Sequence, residues 1–266
     1  MNLTNDGKVW TWEETLLAFD LYSRIQYGKI SPRNEEIIAL AELLGRKPGA
    51  VSKKMFNIAS HDPKQKERGV VALSHTNKFD KQIWEVFEND SNKLAYDARV
   101  ALSNKKNISL EELVAEDIKE FEYEIFPYGE NRERATTTRV GQYFFRMAVL
   151  SAYNNKCCIT GISDSRLLIA SHIKPWRISD DKNEKTNPRN GLCLNPLHDK
   201  AFDKGLITIS SKDYRIRVSK AMKDVVMDQE TYYWFMESEG KQISLPEKFL
   251  PGTLFLEYHN DNIFQK

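Results

Sequence analysis

The chain has 266 residues, of which 41% are apolar and 29% are charged, and its net charge is +1. This composition excludes a disordered or fibrous protein, and the length suits one large domain or two modest ones. Apolar runs fall short of the roughly 18 residues that a membrane helix needs, and the first residues lack a signal-peptide pattern. Its three cysteines form no disulfide framework, so we expect a cytoplasmic protein.

Charge is distributed in blocks along the chain. Residues 46–68 contain seven basic and two acidic side chains, whereas residues 111–124 contain seven acidic side chains and one lysine. Residues 131–146 contain four arginines and one glutamate. Phosphate contacts are local, so near-neutrality of the whole chain does not exclude a nucleic-acid partner.

Three helices are predicted in the first 60 residues, over residues 11–26, 35–44 and 48–59. Thr11 and Glu14 have the spacing of a capping box at the start of the first helix. Gly45 is placed to end the second helix, and Pro48 suits the first position of the third. Together these helices predict a small bundle.

The third predicted helix carries candidate DNA contacts. Its apolar residues, Val51, Met55 and Ile58, should face the first two helices. Ser52, Lys53 and Asn57 should then face solvent, and Lys54 adds a further positive charge. Lys53 and Asn57 are one turn apart and could lie together in a major groove, as in a helix-turn-helix. The alternative is a structural three-helix bundle with a solvated basic face.

Further helices are predicted downstream. Residues 64–70 are predicted to be a polar connector after the bundle ends at Asp62-Pro63, and residues 79–94 a helix with Ile83, Trp84 and Phe87 in its core. The sequence becomes polar at 103–107, and residues 110–126 are predicted to be an acidic helix. The change in the sign of charge places the main domain boundary between residues 100 and 130.

A basic face is predicted on the helix within RVGQYFFRMAVLSAY. Arg139, Gln142 and Arg146 recur at i, i+3 and i+7, which places them on one side. They could contact phosphates near a cleavage site, or they could join this helix to the segment that follows. The spacing alone favours neither interpretation.

The most informative stretch runs from residue 157 to residue 209. It contains Ser-His-Ile ending at residue 173, Asn-Gly-Leu starting at residue 190, and His-Asp at 198–199 with a further aspartate at 203. A histidine that accepts a proton from water, with a divalent ion held by carboxylates, can hydrolyse a phosphodiester. The order and spacing resemble the HNH (ββα-metal) nuclease motif, specifically its restriction-endonuclease-like branch.

The resemblance implies a role for each of these residues. His172 would be the general base, and Asn190 would fix the loop and the base, with Gly191 permitting a turn. Asp199 and Asp203 lie where relatives of this fold present metal ligands, one turn apart on a helix, and would hold Mg²⁺ or Mn²⁺. His198 could be a further metal ligand, a phosphate contact or part of the catalytic set with His172 and Asn190.

The chain departs from the family pattern at two places. Many HNH proteins carry a zinc knuckle, but its four positions here read Cys157, Thr160, Asn195 and His198, so at most two zinc ligands remain and no structural zinc is expected. The residue before the base is often a metal ligand, and here it is Ser171. A hydroxyl is a poor ligand, so low metal affinity is expected.

These observations predict an α+β protein. Residues 1–100 would form a helical, helix-turn-helix-like DNA-recognition domain, residues 101–130 an acidic helical linker, and residues 131–266 an HNH nuclease domain with an aromatic C-terminal extension. The predicted activity is metal-dependent hydrolysis of duplex DNA in restriction or defence, with sensitivity to base modification, by a homodimer. The alternative is a DNA-binding regulator with a weakly active or inactive nuclease-like domain.

Overall fold

The computed structural model describes residues 3–72, 76–119 and 132–266. Its helices are α1 (Trp12–Arg24), α2 (Glu35–Leu44), α3 (Pro48–Ala59), α4 (Pro63–Glu67), α5 (Lys78–Asn89), α6 (Ser91–Lys106), α7 (Leu110–Lys119), α8 (Arg132–Ala152), α9 (Pro196–Asp203), α10 (Lys220–Lys223), α11 (Gln229–Met236) and α12 (Thr253–Asn262). Two antiparallel hairpins pair β1 (Ile169–His172) with β2 (Gly191–Leu194), and β3 (Ile207–Ile209) with β4 (Ile216–Val218). The predicted α+β class, with a helical N-terminal part, is confirmed. None of the described helices is long and apolar enough to cross a bilayer.

Local sequence signals place the first three helices correctly. Thr11 and Glu14 form the predicted capping box, in which each side chain accepts a hydrogen bond from the other residue's backbone N–H. Gly45 ends α2 in the left-handed conformation, with φ 63°. Pro48 is the first residue of α3. Each signal acts within one helical turn, so each works without knowledge of the rest of the fold.

The prediction for residues 60–107 is wrong in three details. The connector contains α4, which begins after the Asp62 N-cap. The helix predicted over residues 79–94 is two helices, because Asp90 leaves the helical conformation and its carboxylate accepts a hydrogen bond from the Lys93 N–H at 2.8 Å. The helix that follows continues through the polar stretch at 103–107, where no helix was predicted, and ends at Asn107, with φ 55°. The acidic helix is present as far as Lys119, and its predicted end at 126 lies outside the described residues.

Helix α3 is covered on more sides than the sequence pattern predicts. Val51, Met55 and Ile58 are buried as expected, and Lys53 is exposed. Ser52 and Asn57 were expected to face solvent, but their exposed fractions are only 3% and 6%. Lys54 is also buried, and its Nζ lies 2.7 Å from the Asp80 carboxylate. The reason is that α5 packs against α3 as well as against α1, and its Asp80 reaches Lys54.

The helical half and the C-terminal half share one hydrophobic core. Phe249, from the segment before α12, packs among Tyr22, Trp84 and Phe87, with ring centroids 5.6 to 6.0 Å away. The preceding Lys248 is fully buried, and its ammonium donates to the carbonyls of Tyr22, Ser23 and Ile25 at the end of α1. The C-terminal segment therefore satisfies carbonyl groups that α1 leaves unpaired.

Candidate active site

The hairpin β1–β2 brings the first two motif segments together. Its register pairs His172 with Gly191, so the motif histidine lies beside the residue after Asn190. Helix α8 packs under both strands, and α9 follows directly after β2. The order of strand, strand and helix that the ββα resemblance implies is therefore present, with residues 173–190 forming the loop between the strands.

The His172 imidazole is held in one tautomer. Its Nε2 lies 2.9 Å from the carbonyl oxygen of Lys185. A carbonyl can only accept a hydrogen bond, so Nε2 carries the proton and Nδ1 keeps an unshared electron pair. The ring stacks on Phe145 with centroids 3.8 Å apart and planes 13° apart, and Trp176 packs edge-on at 5.4 Å.

The same surroundings keep the imidazole uncharged. Burial lowers the pKa of His172 to about 4, while the hydrogen bond to the Lys185 carbonyl acts in the opposite direction. At neutral pH the ring is therefore neutral, with Nδ1 able to accept a proton. This is the protonation state that a general base requires before reaction.

Asn190 fixes the loop that carries the Lys185 carbonyl. Its Oδ1 accepts a hydrogen bond from the Lys174 N–H at 2.8 Å. Its Nδ2 donates to the carbonyls of Lys174 and Glu184, each at 3.1 Å. The side chain is fully buried, so these bonds form where water cannot compete. Because Glu184 precedes Lys185, Asn190 helps to position the acceptor for His172.

Gly191 is required for packing, which differs from the role that we predicted. Its φ is −130°, a value open to any residue, so it does not serve a turn. A Cβ at this position would lie 2.3 Å from a Val149 methyl group and 3.0 Å from the Phe145 ring. The missing side chain lets α8 approach the hairpin closely enough for Phe145 to stack on His172.

The loop after β1 is also held from the helical half. Ser91 and Thr186 hydrogen bond through their hydroxyls at 2.7 Å, and the Asn92 N–H donates to the Lys182 carbonyl at 3.2 Å. Gly141 in α8 leaves room for this contact, since a Cβ there would lie 2.7 Å from the Thr186 methyl group. The start of α6 therefore supports the loop that orients the base.

The candidate metal ligands lie on α9. Asn195 caps this helix by accepting hydrogen bonds from the N–H groups of Leu197 and His198, so Asp199 is not the N-cap. Asp199 is half-buried and Asp203 is exposed, and their spacing places both on one face of the helix. Ser171, before the base, is buried, and its Oγ has no hydrogen-bond partner among the described residues.

This donor set suits a hard ion bound together with substrate. In the described ranges no group of three His, Cys, Asp or Glu side chains converges on a metal position. Mg²⁺ keeps several waters and takes one or two carboxylates plus phosphate oxygens, so two aspartates fit it without a preformed cage.

The four positions of the zinc knuckle meet around one amide nitrogen. Asn195 Nδ2 lies 3.2 Å from Thr160 Oγ1, 3.7 Å from Cys157 Sγ and 3.0 Å from His198 Nδ1. Gly161, with φ 75°, makes the predicted tight turn. The Asn195 amide therefore joins the other three positions through these contacts.

His198 belongs to this cluster. It is fully buried and packs against Trp234 and Phe235, with ring centroids 4.8 and 5.0 Å away, so it cannot contact a phosphate at the surface. Burial lowers its pKa to about 4. Trp234 and Phe235, in α11 of the aromatic C-terminal extension, therefore pack on one of the knuckle positions.

The basic face of α8 lies beside the motif. Arg139, Gln142 and Arg146 are all half-buried, and Arg146 Nη2 lies 3.5 Å from the Ser165 carbonyl, just before β1. This contact favours a bridging role for Arg146. For Arg139 and Gln142 both interpretations remain predictions.

Two participants were not predicted as site residues. Phe145 lies within the stretch used for the resemblance, but its apolar side chain indicates only core packing. Lys185 contributes a backbone carbonyl, and no sequence signal identifies a carbonyl. The contact of Phe145 with His172 depends on how α8 packs on the hairpin, and that of the Lys185 carbonyl depends on the path of the loop after β1.

Residues 157–210 match the family model described as HNH endonuclease. The chain contains an HNH endonuclease domain. The matched segment includes the knuckle positions, the hairpin, the intervening loop, α9 and β3, which are the elements that assemble around His172. It supports DNA endonuclease activity, and HNH nucleases depend on a metal ion. No curated protein matches the chain.

The geometry around Asn195 predicts that two substitutions will create a zinc site. Thr160→Cys with Asn195→Cys would place three thiolates and His198 around one point, and zinc takes such a set at about 2.0–2.3 Å. We expect the double variant to bind one Zn²⁺ per chain and to become more heat-stable with zinc. Metal content and the Co²⁺ absorption spectrum measure this. Adding Cys157→Ser should abolish binding, and equal zinc content without Cys157 would show that the positions do not converge.

The burial of His172 predicts an unusually acidic imidazole. In the folded protein its ring should titrate near pH 4, well below the usual value of about 6.5. The unfolded chain would then bind the extra proton, so this residue lowers stability as the pH falls from about 6.5 towards 4. Histidine NMR titration measures the pKa, with His172→Gln assigning the signal. A midpoint between pH 6 and 7 would contradict the lowered pKa.

Proposed function

We propose that the chain is a restriction or defence endonuclease that hydrolyses phosphodiester bonds in duplex DNA, with His172 as general base. The observation that carries this proposal is the oriented imidazole within an HNH domain. The Lys185 carbonyl fixes the proton on Nε2, and Nδ1 is left to accept a proton from water. The resemblance to the restriction-endonuclease-like branch supports the biological role.

Each residue around His172 has a part in the proton transfer. When Nδ1 takes a proton from the attacking water, the ring becomes an imidazolium that still donates to the Lys185 carbonyl. That hydrogen bond then has a charged donor and becomes stronger. Phe145 and Trp176 restrict ring rotation, so Nδ1 keeps its direction through the step.

We assign the metal-binding role to Asp199 and Asp203. A divalent ion, Mg²⁺ or Mn²⁺, supplies Lewis-acid stabilisation of negative charge on the phosphate and the leaving oxygen when bound. Asn195 caps α9 and so sets the positions from which the two carboxylates project. His198, fully buried in the knuckle cluster, is assigned a structural role.

We propose that the DNA extends over the basic segments of both halves. Arg139 and Gln142 lie on α8 near the hairpin, and Lys53 is the exposed basic residue of α3. Lys54 and Asn57 are buried, so their part in binding is indirect unless the DNA enters the cavity that they line. One HNH site cuts one strand, so a double-strand break calls for two copies, and a two-fold homodimer is the simplest assembly.

A second function is favoured by Ser171. This buried hydroxyl stands where many HNH proteins place a metal ligand. A DNA-binding regulator with a weakly active nuclease domain would also fit this feature. The endonuclease should cut duplex DNA when purified and supplied with a divalent metal ion, whereas the regulator should bind DNA and cut it slowly or not at all.

Cleavage of supercoiled plasmid tests the role of His172. We expect His172→Ala to lower the cleavage rate by roughly 10²–10⁴-fold, because the water loses its proton acceptor, while the protein still folds and keeps its DNA affinity. His61→Ala is the matched control, since His61 lies outside the nuclease motif. Modified and unmodified plasmids test sensitivity to base modification. Near-normal cleavage by His172→Ala would remove His172 from the mechanism, and DNA binding without cleavage by the natural chain would favour the regulator.

Metal titration tests the two aspartates. Asp199→Asn and Asp203→Asn should each raise the Mg²⁺ or Mn²⁺ concentration for half-maximal cleavage far more than they change DNA affinity, because an amide is a weaker ligand than a carboxylate. Asp213→Asn, an exposed aspartate before β4, is the control. Unchanged metal dependence in both α9 variants would move the ion away from this helix.

A further inference from the structure

An open cavity of about 900 Å³ lies between the N-terminal segment, α3 and the start of α5. We call it the Trp10 cavity. Its lining includes Lys8, Trp10, Lys53, Lys54, Asn57 and Lys78, and none of its described lining residues is acidic. The cavity is outside the matched HNH segment, so the catalytic site does not account for it.

One wall of the Trp10 cavity is fixed by Arg46. Its guanidinium forms two hydrogen bonds with the Glu14 carboxylate, at 2.8 and 2.9 Å, and both residues are buried. The same guanidinium donates to the carbonyls of Lys8 at 3.0 Å and Val9 at 3.2 Å. These bonds anchor the N-terminal segment across α1 and α2, so the wall is formed before any ligand arrives.

The opposite wall is fixed by Asp80. Its carboxylate pairs with Lys54 at 2.7 Å and accepts a hydrogen bond from the Asn77 N–H at 2.9 Å. The Asn77 amide donates to the Trp10 carbonyl at 3.0 Å. The two buried cations of the walls are thus neutralised by buried carboxylates, and the half-buried Trp10 ring is held between them, with the Arg46 guanidinium 4.3 Å from its centre.

Three lysines leave the Trp10 cavity with excess positive charge. Lys8, Lys53 and Lys78 come from three separate segments, are exposed, and form no ion pair with any described residue. Like charges around a common space repel one another, and an anion between them would relieve that repulsion. Lysine ammonium groups are strong point-charge partners for phosphate.

We propose that the Trp10 cavity is a phosphate-binding site that holds the DNA backbone through Lys8, Lys53 and Lys78. This inference rests on the proposed action on DNA and specifies how the helical half contributes. The proposed contact is with phosphates, whereas the sequence pattern suggested that an exposed face of α3 reads the bases. The reason for the change is that Asn57 is buried in the wall of the cavity and does not lie on a free surface. Backbone contacts supply affinity and position without reading sequence. A free nucleotide carries the same chemistry and is the other source of phosphate.

The salt dependence of DNA binding tests the proposal. Affinity for a labelled duplex is measured by fluorescence anisotropy in EDTA, which prevents cleavage, over a series of KCl concentrations. Lys53→Ala combined with Lys78→Ala should weaken binding and reduce the slope of log K against log salt by about 2, since each phosphate contact contributes about 0.9. Lys29→Ala with Lys105→Ala removes the same charge from exposed positions outside the cavity and should leave the slope nearly unchanged.

Further arms separate the outcomes. Calorimetric titration with ATP and with inorganic phosphate identifies a free ligand. In one outcome the natural chain binds ATP or phosphate, the Lys53/Lys78 variant does not, and the salt slope of DNA binding is the same for both. This outcome would support a phosphate site in the Trp10 cavity but would assign it to a nucleotide instead of the DNA backbone. An unchanged slope and no such binding would overturn the proposal. His172→Ala should keep the full slope, so failure of the cleavage mechanism and failure of the Trp10 cavity give different results. Both lysines are exposed, and an unchanged melting temperature verifies folding.

Discussion

The hydrogen bond from His172 Nε2 to the Lys185 carbonyl is the constraint on which the site depends, because it decides which ring nitrogen can take a proton. The Lys185 carbonyl lies in an irregular loop, so no regular strand or helix fixes its position. The Asn190 side chain fixes the loop instead, through hydrogen bonds to the backbone of Lys174 and Glu184. Ser91 of α6 adds a hydrogen bond to Thr186 in the same loop. The middle residue of the motif thus acts on the chemistry through backbone geometry.

Burial has two opposing effects on His172. It keeps the imidazole neutral at physiological pH, but a pKa of about 4 also makes it a weak proton acceptor. Bound DNA would bring negative phosphates towards the ring, which favours the protonated form, whereas the proposed divalent ion would bring positive charge, which disfavours it. The pKa of the base during reaction therefore depends on the balance of these two charges as well as on burial.

The sequence predicts this protein well where the signal is local. The capping box at Thr11 and the left-handed Gly45 each depend on one helical turn, and the motif spacing brings His172 beside Gly191. Prediction fails where a distant element decides. Asn57 is buried because α5 covers α3, which the periodicity of α3 does not reveal. Gly191 is needed because Phe145 and Val149 approach it, although its neighbours in sequence suggest a turn.

The two halves of the chain are mechanically connected at both ends of the nuclease domain. The Ser91–Thr186 contact joins α6 to the loop that orients the base, and Lys248 ties the C-terminal segment to the end of α1. The Trp10 cavity is built on α3 and α5, which pack on that same α1. The Trp10 cavity and the loop that orients the base are therefore joined through packed helices. DNA bound at both places, as proposed above, would be held with its backbone at a fixed distance from His172.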